Sequence, residues 1–322
     1  MTNIRTIFVA LLIPAATSAS VDPGLLGLVM PDAKVLSGLQ VGQSQASPFG
    51  QYLLKQLPVD NDALAKFISA TGFDPRRDLR EIVSASAGPI NAAPGNHGTL
   101  ILLRGTFQPG RAVSTALAAG ASVTNHSGID IVASQAKQGT GALAFLDNST
   151  AVMGDFTVVA ATIDRRQAGT IYSGALADKA KDVSANNDAW FATLTPLSEL
   201  LKNVGQNNIA GSAPGNFLQT IIETSGGLTF GATEVTVSGD AVTQSPEDAQ
   251  ALVNVMHLLG SMVQASPQKD PRGQGLAWLV EAAKISAEGP VIHLMLSLPE
   301  QQVEQLMMQG RRTRKIAQAR PQ

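Results

Sequence analysis

Apolar and polar positions along this chain fall into short runs whose period switches often between two and about 3.6, so strands and helices alternate. Residues 34–41 (KVLSGLQV) read as a strand. Ser47-Pro48 then gives an N-cap followed by proline at the first helical position, predicting a helix to about Leu57. Leu64, Phe67 and Ile68 recur at helical spacing, so a second helix covers about 62–71 and stops at Gly72. Residues 79–84 (LREIVS) and 99–104 (TLILLR) read as the next two strands, joined by a Gly/Pro/Asn-rich loop, and a helix near 111–119 ends at Gly120. Two hairpins follow: 122–127 with 129–134 around Gly128, and 143–147 with 150–154 around Asn148-Ser149.

From 164 to 187 the residues turn polar and small, marking a domain boundary or a long crossover. After it the order restarts. Asp188-Ala189 precedes a strand-like run at 190–195 (WFATLT), as Asp32-Ala33 precedes the first strand, and a helix with Leu197, Leu200, Leu201 and Val204 follows. Ala93-Pro94-Gly95-Asn96 returns as Ala213-Pro214-Gly215-Asn216, although such pairs are also ordinary turn chemistry. Strand-like runs at 227–232, 234–238 and 241–244 lead to the strongest helix. Ser245-Pro246-Glu247-Asp248 caps and charges its start, and Leu252, Val255, Met256, Leu259, Met262 and Val263 form its apolar stripe. A further apolar helix covers 276–283, and 284–288 with 291–297 closes as a hairpin around Gly289-Pro290. Ser297 and Glu300 bracket Pro299 as a capping box for a last helix with Val303, Leu306 and Met307, ending at Gly310.

Many hairpins with helices between them favour an α+β fold over a doubly wound parallel sheet. The expectation is two related lobes of antiparallel sheet with helices packed on one face, each lobe a split β-α-β (ferredoxin-like) unit if the repeat is real. The lobes would span 20–165 and 188–310, joined by 166–187 and followed by a tail at 311–322.

The first 19 residues read differently. Arg5 is the only charge before Asp22, residues 7–16 (IFVALLIPAA) are apolar, and Thr17, Ser18 and Ala19 are small. That order is the layout of a secretory signal peptide cleaved after Ala19, and an apolar run of about 10 residues is too short to span a bilayer. The chain is therefore expected to be exported, periplasmic or extracellular. The most apolar later stretch, 249–263, contains Gln250, Asn254, His257 and Ser261 and is too short to cross a membrane.

Composition narrows the chemistry. With 322 residues, 44% of them hydrophobic, the chain can bury a large core, and 23 Lys+Arg against 25 Asp+Glu gives no field for gathering nucleic acid. Zero cysteine excludes disulfides, thiolate metal sites, a Cys nucleophile and a lipid-anchor cysteine.

Several turns and caps resemble a loose set of uncharacterised exported bacterial proteins: Val29-Met30-Pro31-Asp32-Ala33, Ser47-Pro48-Phe49-Gly50, Gly72-Phe73-Asp74-Pro75-Arg76-Arg77-Asp78-Leu79, the Leu146-Asp147 hairpin and the C-terminal hairpin with its helix. The resemblance covers most of the chain after the leader. It implies a two-lobed α+β layout and export, and it brings no catalytic residues.

Each candidate chemistry has a plainer reading beside it. His97, His126, His257 and His293 stand far apart with no H-x-x-x-H pair, so they read as structural histidines and no metal is expected. Ser266-Pro267-Gln268-Lys269 matches S-x-x-K but sits in a polar loop, with no K-T-G later, and reads as coincidence. Asp74, Asp147 and Asp155 each have a turn or cap to explain them. Residues 223–234, with Glu223 and Glu234, are the other place where acids could pair. No phosphate cradle is present, and Gly139 to Gly141 and Gly226-Gly227 read as turns. Trp190 and Trp278 lie in apolar runs that suggest core packing. Asn125-His126-Ser127 and Asn148-Ser149-Thr150 fit the glycosylation sequon without deciding anything.

The tail is the most uneven charge feature: Arg311, Arg312, Arg314, Lys315 and Arg320 could make a weak contact with an acidic surface, or simply extend a solvated helix end. With no catalytic residue and no cofactor singled out, the expected function is a non-catalytic binding or scaffolding module of the cell envelope. Its partner would be an unknown small molecule or envelope protein. The default ligand site is a cleft near 91–97 and 211–216. The alternative is a periplasmic or secreted hydrolase whose acidic or serine residues converge only in the fold.

Overall fold

The computed structural model describes residues 20–55, 68–88, 98–133, 141–200, 217–265 and 282–304. Twelve strands among them form one sheet: β1 Val35–Gln40, β2 Leu79–Ser86, β3 Thr99–Gly105, β4 Ser122–His126, β5 Ile129–Ala133, β6 Gly141–Phe145, β7 Thr150–Asp155, β8 Ala189–Thr193, β9 Ile221–Phe230, β10 Glu234–Thr243, β11 Ala283–Glu288 and β12 Val291–Pro299. The order across the sheet is β11-β12-β10-β9-β8-β1-β2-β3-β7-β6-β5-β4. Every neighbouring pair is antiparallel, and the helices between strands make the fold α+β.

The hairpin chemistry follows the sequence. Between β4 and β5, Ser127 (φ 53°) and Gly128 (φ 84°) both take the left-handed conformation, the primed turn whose twist suits a two-residue hairpin. The helix Pro246–Ala265 starts on its expected cap, with the Asp248 amide donating to Ser245 Oγ at 3.1 Å and Ser245 Oγ donating to Asp248 Oδ2 at 2.9 Å.

The halves meet where β1 pairs β8, with Leu36 opposite Ala192, so the segments 20–165 and 188–310 share one continuous sheet. A split β-α-β unit would set its helix-linked strands parallel with another strand between them. Here β1 and β2 are direct antiparallel neighbours, Leu36 opposite Ala85.

Residues opposed across a ladder project to one face, which assigns the core. On the first face Leu36, Val83, Ala85, Leu100, Leu102, Ala144, Val152, Trp190 and Ala192 pack under Leu25 and Leu26, Val159 and Ile163 of the helix Phe156–Gln167, and Leu176, Ala177 and Ala180 of the helix Ala175–Ser184. That last helix lies within 166–187, the stretch expected as a linker or crossover, and its small residues Ala177 and Ala180 let it sit close on the sheet. The second face is covered too, rather than left bare as one-sided packing predicts. Val41, Leu79, Phe73 and Phe107 close over Ala151, Leu103 and Phe145 in the first half. In the second half Phe49 and Tyr52 meet Phe230 and Val235 at one end, while Ala249, Leu252 and Val253 meet Ile221 and Ile292 at the other. In the second half the long helix Pro246–Ala265 supplies part of this cover, and short helices and loops supply the rest.

Candidate functional site

Three features of the sheet carry chemistry or contact potential. The first ties down the segment after the leader pattern. Ser20 Oγ donates to the Lys181 carbonyl (3.2 Å), the Val21 amide donates to Ser184 Oγ (2.9 Å), and Val21 is 1% exposed. The Asp22 amide donates to both carboxylate oxygens of Glu81 (3.1 and 3.2 Å), and Gln40 Nε2 donates to Glu81 Oε1 at 2.9 Å. Arg104 closes the network with Nε on Asp22 Oδ2 (3.0 Å) and Nη2 on Oδ1 (2.7 Å), a two-pronged geometry suited to a carboxylate. Burial raises Glu81 to about 7, with the Asp22 charge adding to the rise against its hydrogen bonds and Arg104. Burial also pushes Asp22 upward, but Arg104 and the Leu25 amide outweigh it and hold that carboxyl below its usual range. These groups are held by one another, which marks a structural anchor rather than an open site.

The second feature is a polar row on the first face of the C-terminal half. Ser225, Asp240, His293 and Ser286 stand opposite one another across β9, β10, β12 and β11. His293 Nδ1 lies 2.7 Å from Asp240 Oδ1, which orients the ring. The described contacts hold no hydrogen bond between Ser286 and His293.

The third is an apolar trough on the second face of the same half. Phe191, Gly226, Gly239, Leu294 and Ile285 form one row across five strands. Gly226 and Gly239 lower its floor, and the Phe191 ring leans over Gly226, where an added Cβ would meet its Cε1 at 3.2 Å and the Ser238 carbonyl oxygen at 2.5 Å. Phe191 stays 43% exposed, and Val237 and Leu296 beside the row are half-buried. The aromatic cluster of Phe49 and Phe230 bounds one end and the Leu252–Ile292 cluster the other. Partly exposed apolar side chains between two packed ends form a shallow contact surface.

The residues singled out by sequence do not converge. His126 Nε2 sits 2.8 Å from Asp164, His257 is exposed on its helix, and His293 is in the polar row; His97 lies outside the described residues. No group of three His, Asp or Glu side chains suited to a metal occurs among the described residues. Asp74 caps the turn Pro75–Asp78 and pairs with Arg76, a local role, while Asp147 accepts from the Ser149 amide and hydroxyl and also pairs with Arg166 at 2.8 Å. Asp155 is an N-cap by position, but its side chain makes no capping bond. Glu223 takes Lys179 at 2.7 Å, and Glu223 and Glu234 lie at opposite ends of the β9–β10 hairpin, roughly 25 Å apart at the rise of a strand. Gly226-Gly227 is not a turn but the middle of β9: an added Cβ at Gly227 would meet the Ala189 carbonyl oxygen at 2.5 Å. Ser297 caps nothing; it lies in β12, its hydroxyl 3.1 Å from that of Thr236. Trp190 is core, as its apolar run suggests. Residues 91–97, 139–140, 211–216, 266–269, Trp278 and the tail 311–322 lie outside the described residues.

Fold and site together define an antiparallel α+β protein with an extended sheet and an apolar surface in its second half. No helix among the described residues is long and apolar enough to cross a membrane. No family model and no curated protein matches the chain. Among solved structures, TP0453 in crystal form III is similar over 89% of this chain and 98% of that one, with a TM-score of 0.53 at 12% identity. Its crystal form IV gives a TM-score of 0.50 at 11% identity, over 91% and 98%. At such identity the likeness is one of fold alone.

Proposed function

We propose that the chain is an exported binding or scaffolding protein of the cell envelope that engages its partner on the apolar trough around Phe191. The trough carries the reading: a partly exposed Phe191 beside two mid-strand glycines makes a contact surface that the sheet itself does not need. Export rests on the order of Arg5, the apolar run and Thr17 to Ala19, and the anchoring of Ser20 and Val21 fits cleavage after Ala19. The likeness to exported bacterial proteins in its turns and caps points the same way. The tail from Arg311 to Arg320 adds a weak attraction for an acidic surface.

The two halves read as a repeat. The orders β1-β2-β3-β7-β6 and β8-β9-β10-β12-β11 are the same walk outward from the β1–β8 seam, with a helix after the third strand in each. The hairpin β4–β5 is an addition to the first half.

Two measurements test the reading. The mass of protein recovered outside the cytoplasm begins at Ser20; an intact Met1 overturns export. Titration with 1-anilinonaphthalene-8-sulfonate gives saturable fluorescence that Phe191→Asp removes; equal binding by the variant overturns the trough as the site. The polar row favours a second reading, a hydrolase using Ser286, His293 and Asp240. A fluorophosphonate probe would label Ser286 in that case, and an unlabelled chain removes it.

A further inference from the structure

The two ends of the sheet are finished differently. In the first half β6 carries β5 and then β4 outside it, whereas β11, at the matching place in the second half, has β12 as its one hydrogen-bonded strand neighbour among the described residues. A bare edge offers a row of unpaired N–H and C=O groups to another strand.

The residues of β11 say which strand fits. Lys284, Ser286 and Glu288 are exposed and share the polar face, while Ala283, Ile285 and Ala287 share the apolar face, where Ile285 and Ala287 pack against the Ile292 cluster. Lys284 and Glu288 have no ion-pair partner among the described residues. Rotated about a two-fold axis through Ser286, the strand is complementary to itself. Lys284 then faces Glu288 of the second copy, Ile285 faces its Ala287, and the two Ser286 residues face each other. A one-residue slip would set the polar face of one strand against the apolar face of the other. A two-residue slip leaves both charges opposite uncharged positions. This register alone gives each charge an opposite partner, two ion pairs in all, and keeps the apolar face continuous.

We propose that β11 is a self-association edge: two copies of this chain join β11 to β11, antiparallel about a two-fold axis at Ser286, so that the two sheets run on as one. An edge-to-edge contact is small, so the dimer is weak and depends on concentration.

The chain contains no cysteine, so single substitutions report the register cleanly. Directly opposed Cα atoms lie about 4.5–5.5 Å apart, within disulfide range, and Ser286→Cys therefore forms a covalent dimer under mild oxidation. Ala287→Cys faces Ile285 of the other copy, its own counterpart is roughly 8 Å away, and it cross-links poorly. In sedimentation, Lys284→Glu or Glu288→Lys alone weakens the dimer about tenfold or more, and the double exchange restores it. A monomer at every concentration, equal cross-linking at 286 and 287, or a dimer indifferent to Lys284→Glu overturns the proposal.

Discussion

Replacing Glu81 by Gln reads the anchor beneath the N-terminal segment directly. The Glu81 carboxyl is 5% exposed and titrates near 7 in the fold, against 4.5 for the free side chain. Between those values the folded chain holds a proton that the unfolded chain has released, so stability is full below about pH 4.5 and falls as pH rises toward 7. A gap of about 2.5 units at 1.36 kcal/mol each is worth about 3 kcal/mol across that window. Gln cannot ionise, so this part of the slope disappears. It also presents an NH2 group where the Asp22 amide needs an acceptor, at a cost of about 1 kcal/mol at every pH. The variant should therefore melt slightly below the parent at pH 5 and above it at pH 8, the curves crossing at about pH 5–6. With roughly 2–4 °C per kcal/mol, thermal scans followed by tryptophan fluorescence resolve the difference. Parallel curves from pH 5 to 8, or a variant less stable at pH 8, would refute the account of Glu81.

Other predictions concern packing, capping and the tail. A Cβ at Gly38 would lie 2.5 Å from the Trp190 indole, so Gly38→Ala should cost about 1–3 kcal/mol and alter the tryptophan emission; an unchanged melting point would contradict this packing. Ser245→Ala removes the cap of the helix Pro246–Ala265 and should cost about 1 kcal/mol in urea titrations, whereas an unaltered midpoint would deny the cap its role. Deleting residues 311–322 should lower binding to vesicles containing anionic lipid and abolish its salt dependence; equal retention would show that the tail does not contribute.

Local rules made much of the fold legible. Turn residues placed the hairpins around Gly128, Asn148-Ser149 and Gly289, and the Ser245 capping box set the start of the long helix to the residue. The failures have one cause, the dominance of partners distant in sequence. Gly226-Gly227 looks like a turn because glycine usually marks one, yet here it lets the Ser238 and Ala189 carbonyls approach β9. Ser297 and Glu300 satisfy a capping pattern, but pairing with β10 carries the strand on to Pro299. On the long helix, Val253 is buried and Met256 is 42% exposed, because the sheet below selects a stripe rotated from the one the spacing suggests. Nothing local in the sequence joins Asp22 to Glu81, or Phe191 to Gly239 and Leu294. The polar row and the trough are products of strand register, and the anchor sets a segment outside every strand, residues 20–22, against residues that register brings together.

The most direct test of the central claim is a thermal-shift screen of the chain from Ser20 onward against peptides, sugars, lipid head groups and acyl-chain ligands, run in parallel on Phe191→Asp. A bound ligand at about 100 times its dissociation constant adds roughly 2.7 kcal/mol, a readily measured rise in melting point. The account predicts that at least one ligand class raises the melting point of the parent and fails to raise that of the variant. A ligand that protects both chains equally would place binding elsewhere and contradict the assignment of the trough.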